Sequence, residues 1–272
     1  MSNKEIKLGD SHNSNQAVSL RYTESGEPVI VKPRNCKTEK AFKIFLDGLK
    51  KLGITKIPKT VEILQESENS HEQSYVHHQC AESVEEVNSY FYKCGVLLFS
   101  AYLLSSYDLH CENLIASSDS PVLVDLETLL SAEPVQRTAK SQAVTLKNSV
   151  LKSHLLPNWI TVDGKIFDCS GFTGTLHSDK NNLFYNNEPI KAYNHIDTIV
   201  DGFRQAYELT LENIQSIDSL LDIFSECEFR QILRPTDVYG KIINFLNLID
   251  DLEKRKEYAY TLLSKAYMRD ID

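Results

Sequence analysis

The segment that most constrains the fold is YDLHCENLIASSDSPVLVDLETLL, residues 107–130. Two short apolar runs, LIA and VLV, flank the polar turn SSDS, a pattern that predicts a buried β-hairpin. Acidic and amide side chains stand at both ends of this hairpin, and burying such groups without partners is costly. The segment therefore predicts an apolar scaffold that presents polar groups to a cleft at the ends of its strands.

The rest of the chain divides into a strand-rich first part and a helix-rich second part. The predicted strands before the hairpin are 5–8, 16–22, 28–32, 60–64 and 73–77, and they surround one predicted helix, 38–51. The later predicted helices are 83–105, 194–224, 236–250 and 253–268. A capping box, Ser83 with Glu86, marks the start of the first of these. This order predicts an α+β fold with a small, mostly antiparallel β lobe containing one helix and a larger, mostly helical lobe.

Composition excludes several classes of protein. The 272 residues are 42% hydrophobic with 8 prolines and 10 glycines, as in a globular chain. The N-terminus MSNKEIKLGD has no apolar core for a signal peptide, and VLLFSAYLL is too short to span a bilayer. The six cysteines have no metal-binding spacing, which indicates reduced thiols in the cytosol. The net charge of −9 argues against nucleic acid as a partner.

Three spacings point to phosphate chemistry. Asp108 and Asn113 are five residues apart, and Asp125 follows after the hairpin. Lys32 ends a predicted strand far upstream, directly before a helix. Protein kinases use this arrangement of a catalytic Asp, an Asn and an Asp on Mg²⁺, and a strand Lys on the nucleotide phosphates. The pattern predicts a phosphotransferase that uses ATP and Mg²⁺.

Each of these residues also has a purely structural interpretation. Asp and Asn before strands are ordinary turn residues, and His110 also fits a hydrogen-bonded loop histidine. Asp125 and Glu127 point off the same face of one strand, however, and two neighbouring carboxylates repel unless a cation lies between them. Glu39, on the helix after Lys32, is a candidate ion-pair partner for that lysine.

The hairpin segment closely resembles the catalytic segment of the dehydratase domain of class II lanthipeptide synthetases (LanM type). In that family D-x-H-x-E-N-x-I-A is followed by P-V-L-[IV]-D-L-E-T. The resemblance extends to LGDSHNSNQAVSL, VIVKPR, YKCGVLLFSAYLLSSYD, SVLKSHLLPNW and FRQILRPTDVYGKII. It thus covers most of residues 8–245, in the family's order.

This resemblance implies a two-lobed core like that of protein kinases and lipid kinases. Residues 1–80 would be the nucleotide-binding small lobe. Residues 81–272 would be the helical large lobe, with the catalytic loop and the elimination residues, and the two together would make one dehydratase-type domain. Such enzymes are cytoplasmic, or peripheral to a membrane-bound biosynthesis complex. They phosphorylate Ser and Thr of a precursor peptide with ATP and then eliminate phosphate, which leaves dehydroalanine or dehydrobutyrine.

The resemblance also implies roles for single residues. Asp108 would act on the substrate hydroxyl, with His110 and Glu127 in the same phosphorylation centre. Elimination needs cations beside the leaving phosphate, because negative charge develops there. The elimination residues would be Lys32, Arg230 and Thr236. The cofactor-binding residues would be Lys32, Asp10, His12, Asn113 and Asp125, of which Asn113 and Asp125 would be the Mg²⁺ ligands.

These elimination residues have alternatives of their own. Lys32 also fits an edge strand, from which its amine would reach solvent. Arg230 also fits an ion pair with Glu226 or Glu228. Thr236 also fits the N-cap of the helix that follows it.

The chain departs from the family in two respects. Where the family has G-D-x-H-x-x-G-R, Asn15 and Gln16 replace the second glycine and the arginine. Class II synthetases are also several times longer and end in a zinc-dependent cyclase domain. This chain has no Cys-Cys-His constellation, so neither zinc nor thioether cyclisation is expected of it. The expected partners are a precursor peptide rich in Ser, Thr and Cys and a separate chain that carries the rest of the dehydratase or the cyclase.

Two other functions fit the sequence. The first is a truncated, non-catalytic fragment that binds the precursor peptide or completes a partner chain; it predicts no binding of ATP or Mg²⁺. The second is a small-molecule or lipid kinase, in which Arg230 and Thr236 would have no shared task.

Overall fold

A computed structural model describes residues 6–12, 16–131, 149–162, 164–176, 178–230 and 236–268, and shows an α+β fold as predicted. The strands before the second helix are β1 (Ile6–His12), β2 (Gln16–Tyr22), β3 (Pro28–Lys32), β4 (Ile63–Glu66) and β5 (His71–Ser74). The later strands are β6 (Leu114–Ser117), β7 (Ser120–Leu123), β8 (Trp159–Val162), β9 (Lys165–Asp168), β10 (Phe184–Tyr185) and β11 (Glu188–Pro189). The α-helices are α1 (Lys37–Lys51), α2 (Val84–Leu103), α3 (Ile196–Glu212), α4 (Ile214–Asp222), α5 (Thr236–Asn247) and α6 (Leu252–Met268). The division into two kinase-like lobes stays a prediction.

The first five strands form one antiparallel sheet in the order β1-β2-β3-β5-β4. The predicted strands 60–64 and 73–77 are displaced: the hairpin runs through 63–66 and 71–74. A tight turn explains the shift, because the backbone N–H of Ser67 donates to Ser70 O at 2.8 Å and draws the two strands closer along the chain. The third strand lies in the middle of the sheet, so Lys32 at its end does not lie on an edge strand.

The hydrophobic core lies around α1 and α2. The second helix is buried on most of its circumference, with Phe91, Val96 and Leu97 almost inaccessible to solvent. Its N-cap differs slightly from the predicted capping box. Ser83 Oγ accepts the N–H of Glu86 at 3.2 Å, but the Glu86 carboxylate accepts the N–H of Glu82 at 2.8 Å rather than that of Ser83.

Two glycines allow α2 and α3 to touch at their backbones. A Cβ on Gly95 would lie 1.9 Å from the carbonyl oxygen of Ile199, and a Cβ on Gly202 would lie 2.0 Å from that of Tyr92. Backbone atoms cannot move aside as a flexible side chain can. The close packing of these helices therefore requires glycine at both positions.

We expect Gly95→Ala to destabilise the fold by about 3 kcal/mol or more, because the new methyl group forces the two helices apart. Urea denaturation followed by circular dichroism measures this change. Gly240→Ala in α5 is the matched control: its Cβ would meet nothing within 4 Å. Alanine there should stabilise the helix by about 0.5–1 kcal/mol. Equal stability of the Gly95 variant and wild type would contradict the packing argument.

The C-terminal helices follow the predicted segments with one difference. The predicted helix 194–224 is broken at Asn213, which has the non-helical angles φ −116° and ψ 30°. Its side-chain Nδ2 donates to Leu209 O at 2.8 Å. Asn side chains compete for backbone hydrogen bonds in this way and end helices. Among the described residues, no helix is long and apolar enough to cross a membrane.

Candidate active site

The β6–β7 hairpin brings the two predicted magnesium ligands together. Leu114 pairs with Leu123 in the antiparallel register, so Asn113 and Val124 are neighbours just outside the ladder. The N–H of Val124 donates to Asn113 O at 2.9 Å. Asp125 follows at once. Antiparallel pairing therefore brings Asn113 beside Val124, one residue before Asp125, although Asn113 and Asp125 are twelve positions apart along the chain.

The loop before the hairpin is held by main-chain hydrogen bonds from three directions. Tyr107 N–H donates to Thr128 O at 3.1 Å, Leu109 N–H to Ser153 O at 2.9 Å, and Cys111 N–H to Cys169 O at 3.0 Å. Asp108 lies in this loop with φ 61°, a left-handed conformation that Asp tolerates better than most residues. Such over-determined strain is typical of functional loops.

Asn113 ties this loop to the hairpin. Its Nδ2 donates to Asp108 O at 2.8 Å and lies 3.4 Å from His110 Nε2. Both contacts involve the amide nitrogen of Asn113 and not its Oδ1 oxygen. His110 Nε2 lies 4.0 Å from Asp108 Oδ1. Asp108, His110 and Asn113 thus form one cluster, as the sequence predicted.

Lys32 reaches the hairpin from the sheet. The residue is 4% exposed, and its Nζ donates to Val124 O at 2.7 Å. The same Nζ lies 3.7 Å from Glu39 Oε1 and 3.7 Å from Asp125 Oδ1. The predicted ion pair with Glu39 is confirmed. The alternative in which the Lys32 amine reaches solvent from an edge strand is wrong, because the strand is central and the side chain is buried.

Arg34 is a central residue of the site that the sequence analysis missed. It makes a bidentate pair with Glu39, with Nη2–Oε1 at 2.6 Å and Nη1–Oε2 at 3.0 Å. Its Nε lies 3.0 Å from Glu127 Oε1, and its Nη2 lies 3.5 Å from Asp125 Oδ1. One guanidinium therefore contacts three carboxylates, two of which Lys32 also approaches. Arg34 follows Lys32 by two residues, after the end of β3, but its place in the chain did not show which carboxylates it would contact.

The two aspartates of the site have opposite pKa shifts. Burial raises the pKa of the Asp108 carboxyl above its usual range, and the negative charge of Asp125 adds to this effect. Burial also acts to raise the pKa of Asp125, but Lys32 and Arg34 outweigh it and hold that pKa below its usual range. Carboxyl pairs driven apart in this way commonly take different roles, one as a proton acceptor and one as a permanent anion.

Arg230 also joins this cluster. Its backbone N–H donates to Glu127 O at 2.7 Å, and its Nη1 lies 3.9 Å from Glu127 Oε2. Its positive charge opposes the rise in the pKa of Asp108 and contributes to the lowered pKa of Asp125. The ion pair of Arg230 is therefore with Glu127, and not with the local acids 226 or 228 that were the alternative.

Three predicted site residues lie partly or wholly outside the described side chains. Asp10 and His12 belong to β1, but only their backbone is described. Thr236 is the first residue of α5, after the undescribed residues 231–235, and its side chain is likewise outside the description. Their assigned roles, and the N-cap alternative for Thr236, stay predictions.

His154 is a second residue that the sequence analysis did not single out. It follows a 3₁₀ helix, Val150–Ser153, and its Nδ1 lies 3.9 Å from Asp108 Oδ1. Its ring packs on Tyr107 with a centroid distance of 4.6 Å. Lone histidines carry no spacing signal, so only the folded arrangement identifies it.

The ends of the hairpin carry oxygens suited to Mg²⁺. Lys32, Arg34 and the N–H of Glu127 all approach Oδ1 of Asp125 and not Oδ2. Asp125 Oδ2 and the amide oxygen of Asn113 could therefore act as ligands. Mg²⁺ usually takes only one or two carboxylates from the protein and binds phosphate and water oxygens besides. Within the described ranges, no group of three or more His, Cys, Asp or Glu side chains could hold a metal ion. A Mg²⁺ here would therefore complete its shell with phosphate and water oxygens.

We expect Arg34→Met to cost about 3 kcal/mol of stability at pH 7, because it leaves buried Glu39 undercompensated. The loss should shrink in acid. The pKa of Asp125 is lower in the folded protein than its value of about 3.9 in the unfolded chain. Ionised Asp125 therefore stabilises the fold above about pH 3.9, and this contribution is lost as the pH falls through the folded pKa. Urea denaturation at pH 7 and near pH 3.5 measures both effects. Arg21→Met, which breaks a pair with Glu72 outside the site, is the control, and an Arg34 effect no larger than this one would contradict the argument.

Comparison with known proteins identifies the family. A family model described as "Domain of unknown function (DUF4135)" matches residues 2–178 and 173–268. The chain is also 25% identical over 279 residues to the Lacticin 481/lactococcin biosynthesis protein LcnDR2 of Lactococcus lactis subsp. lactis, an alignment that covers 87% of this chain and 30% of that protein. The chain thus spans less than a third of that relative. The resemblance to lanthipeptide synthetases is confirmed, and this chain belongs to the DUF4135 family, which is associated with those synthetases.

Proposed function

We propose that this chain is a dehydratase of lanthipeptide biosynthesis, which phosphorylates Ser and Thr of a precursor peptide with ATP and Mg²⁺ and then eliminates phosphate. One observation carries the proposal. The buried Lys32 Nζ lies 3.7 Å from Asp125, at the end of the hairpin whose other end, Asn113, is hydrogen-bonded to Asp108 O. Phosphoryl transfer needs a cation, here Lys32, an ionised metal-binding carboxylate, here Asp125, and a catalytic carboxylate, here Asp108 with its raised pKa. The similarity to LcnDR2, a lacticin 481/lactococcin biosynthesis protein, supports the peptide substrate.

The cofactor would lie at the end of the hairpin. Asn113 and Asp125 would hold Mg²⁺, Lys32 would hold the nucleotide phosphates, and Asp10 and His12 would be further cofactor-binding residues. When bound, MgATP supplies the phosphoryl group to be transferred and neutralises the charge that develops on it. Lys32 suits phosphate as a point charge. Its hydrogen bond to Val124 O fixes this charge in position before any ligand arrives.

Asp108 is the residue that takes the proton from the substrate hydroxyl. Its raised pKa favours this task, because a stronger base accepts a proton more readily near neutral pH. His110 and Asn113 orient its side chain and main chain. Glu127, which lies between two arginines, holds Arg230 close to the reacting groups.

Elimination breaks the Cα–H and Cβ–O bonds of the phosphorylated residue: a base takes the Cα proton, phosphate leaves, and the cations of the same cluster stabilise its charge. Arg230 is 44% exposed, and its long 3.9 Å contact with Glu127 leaves guanidinium donors for the departing phosphate oxygens. Lys32 provides a second cation nearby, and Thr236 a hydroxyl from the start of α5. The phosphorylation and elimination steps would thus share one site, so the phosphopeptide would not need to move far between them.

The wider setting follows from these assignments. Residues 1–80 act as the nucleotide-binding lobe and residues 81–272 as the lobe that carries the catalytic loop. The substrate is a precursor peptide rich in Ser, Thr and Cys. The protein acts in the cytoplasm.

The test uses the lacticin 481 precursor peptide as probe, chosen from the name of the relative. Incubation with MgATP should first give a peptide that has gained one phosphate and then, after elimination of that phosphate, a peptide that has lost one water relative to the starting material, as read by mass spectrometry. Isothermal calorimetry should show nucleotide binding that depends on Mg²⁺. Absence of Mg²⁺-dependent nucleotide binding would overturn the proposal in favour of a non-catalytic binding module. Phosphate transfer to small alcohols without elimination would favour a small-molecule kinase.

A further inference from the structure

His154 occupies a backbone position that favours glycine. Its φ is 62°, in the left-handed region that most side chains avoid. The position is fixed on both sides: His154 O accepts the N–H of Gly171 at 2.9 Å, and Ser153 O accepts that of Leu109 at 2.9 Å. Residues held in strained backbone conformations cluster at functional sites, so this position suggests a functional role for the imidazole.

The side chain of His154 points at the residue that we assign as the base. Its Nδ1 lies 3.9 Å from Asp108 Oδ1, and Tyr107 covers its ring. His110 Nε2 approaches the same oxygen at 4.0 Å. These distances exceed hydrogen-bond length, but catalytic hydrogen bonds are often long before the substrate binds and shorten afterwards.

We infer that His154 is a positioning residue for Asp108: its neutral imidazole presents Nδ1–H to Oδ1 and leaves Oδ2 turned to the substrate hydroxyl. This inference rests on the proposed function. Two histidines on one carboxylate oxygen restrict the rotation of that carboxylate, and restricted geometry is a large part of catalysis.

A neutral ring suits this task better than a cation. An arginine or lysine beside Asp108 would stabilise the carboxylate and weaken it as a base. Burial lowers the pKa of His154, and the charge of His110 adds to this, against the opposite effect of Asp108. The imidazole therefore holds Asp108 in place at neutral pH without adding a positive charge.

The variants His154→Gly and His154→Asn separate positioning from packing. Glycine relieves the backbone strain, so Tm should rise by about 2–4 °C, while kcat for peptide phosphorylation should fall about 10- to 100-fold with KM for MgATP unchanged. Asparagine tolerates positive φ and keeps an N–H donor. It should retain activity within about threefold of wild type.

The control is Asn187→Gly, an exposed residue with φ 63° in the β10–β11 turn. It makes the same backbone change away from the site and should leave kcat unaltered. Full activity of His154→Gly would overturn the inference. Activity of the asparagine variant as low as that of the glycine variant would overturn it too.

A measurement that does not depend on enzymatic activity tests this inference separately from the proposed function. Nitrogen-15 NMR of the imidazole in the nucleotide-free protein at pH 7, assigned by loss of the signal in His154→Gly, should show a neutral ring protonated at Nδ1. A ring protonated at Nε2 alone, or a doubly protonated ring, would overturn the inference. Failure of wild-type protein to phosphorylate any peptide would instead refute the proposed function, and the NMR result would still decide the orientation of His154.

Discussion

Replacing Asp108 should abolish peptide phosphorylation, with a fall in kcat of at least about 10³-fold, the usual contribution of a positioned general base. Asp108 is the carboxyl whose pKa burial raises, and it is held by His110 and by its main-chain link to Asn113. No other carboxylate of the cluster has this combination, since Asp125 is tied to cations. The rate is measured as phosphate transferred from labelled ATP to the peptide.

The choice of variant matters because Asp108 has φ 61°. Alanine at such an angle is strained, so Asp108→Ala alone would confuse loss of the base with distortion of the loop. Asp108→Asn keeps the shape and tolerates positive φ, but its amide cannot accept the proton. Both variants should be inactive while MgATP binding persists. Asp218→Asn on the exposed side of α4 is the control. Activity of Asp108→Asn within tenfold of wild type would exclude Asp108 as the base.

Replacing Arg230 with alanine should convert the enzyme into one that stops at the phosphopeptide. Loss of one donor to a developing anion typically costs about 10²- to 10³-fold in rate. Phosphorylation should continue, because Lys32, Asp108 and Asp125 remain. Mass spectrometry of the treated peptide would then show species that have gained phosphate in place of species that have lost water. Thr236→Ala should give the same product.

The pH dependence of the Arg230 variant gives a second readout. Arg230 lowers the pKa of Asp108, so its removal should raise that pKa further. The acid limb of the phosphorylation profile should therefore move to higher pH, since Asp108 must be ionised to accept a proton. Arg204→Ala, which breaks an exposed pair with Asp201 on α3, should change neither product nor profile. Normal dehydration by the Arg230 variant would show that this assignment is wrong.

The sequence was most informative where function follows from local spacing. An antiparallel hairpin between Asn113 and Asp125 requires only two apolar runs and a polar turn, and its register leaves Asn113 beside Val124, the residue before Asp125. The pairing of Lys32 with Glu39 was also foreseeable, because a strand end and the first turn of the next helix are close along the chain. The helix break at Asn213 was missed, since one side-chain hydrogen bond outweighed a helical pattern on both sides.

The amino-acid sequence alone determined the α+β class, the central hairpin and the polar residues at its ends, because periodicity and turn chemistry act between near neighbours. Only the tertiary structure decided which charges meet. Arg34 contacts Asp125 and Glu127 from positions 91 and 93 residues away, and His154 reaches Asp108 only because its loop folds back against Leu109. Contacts over such distances depend on the packing of whole elements, and no local pattern in the chain encodes them.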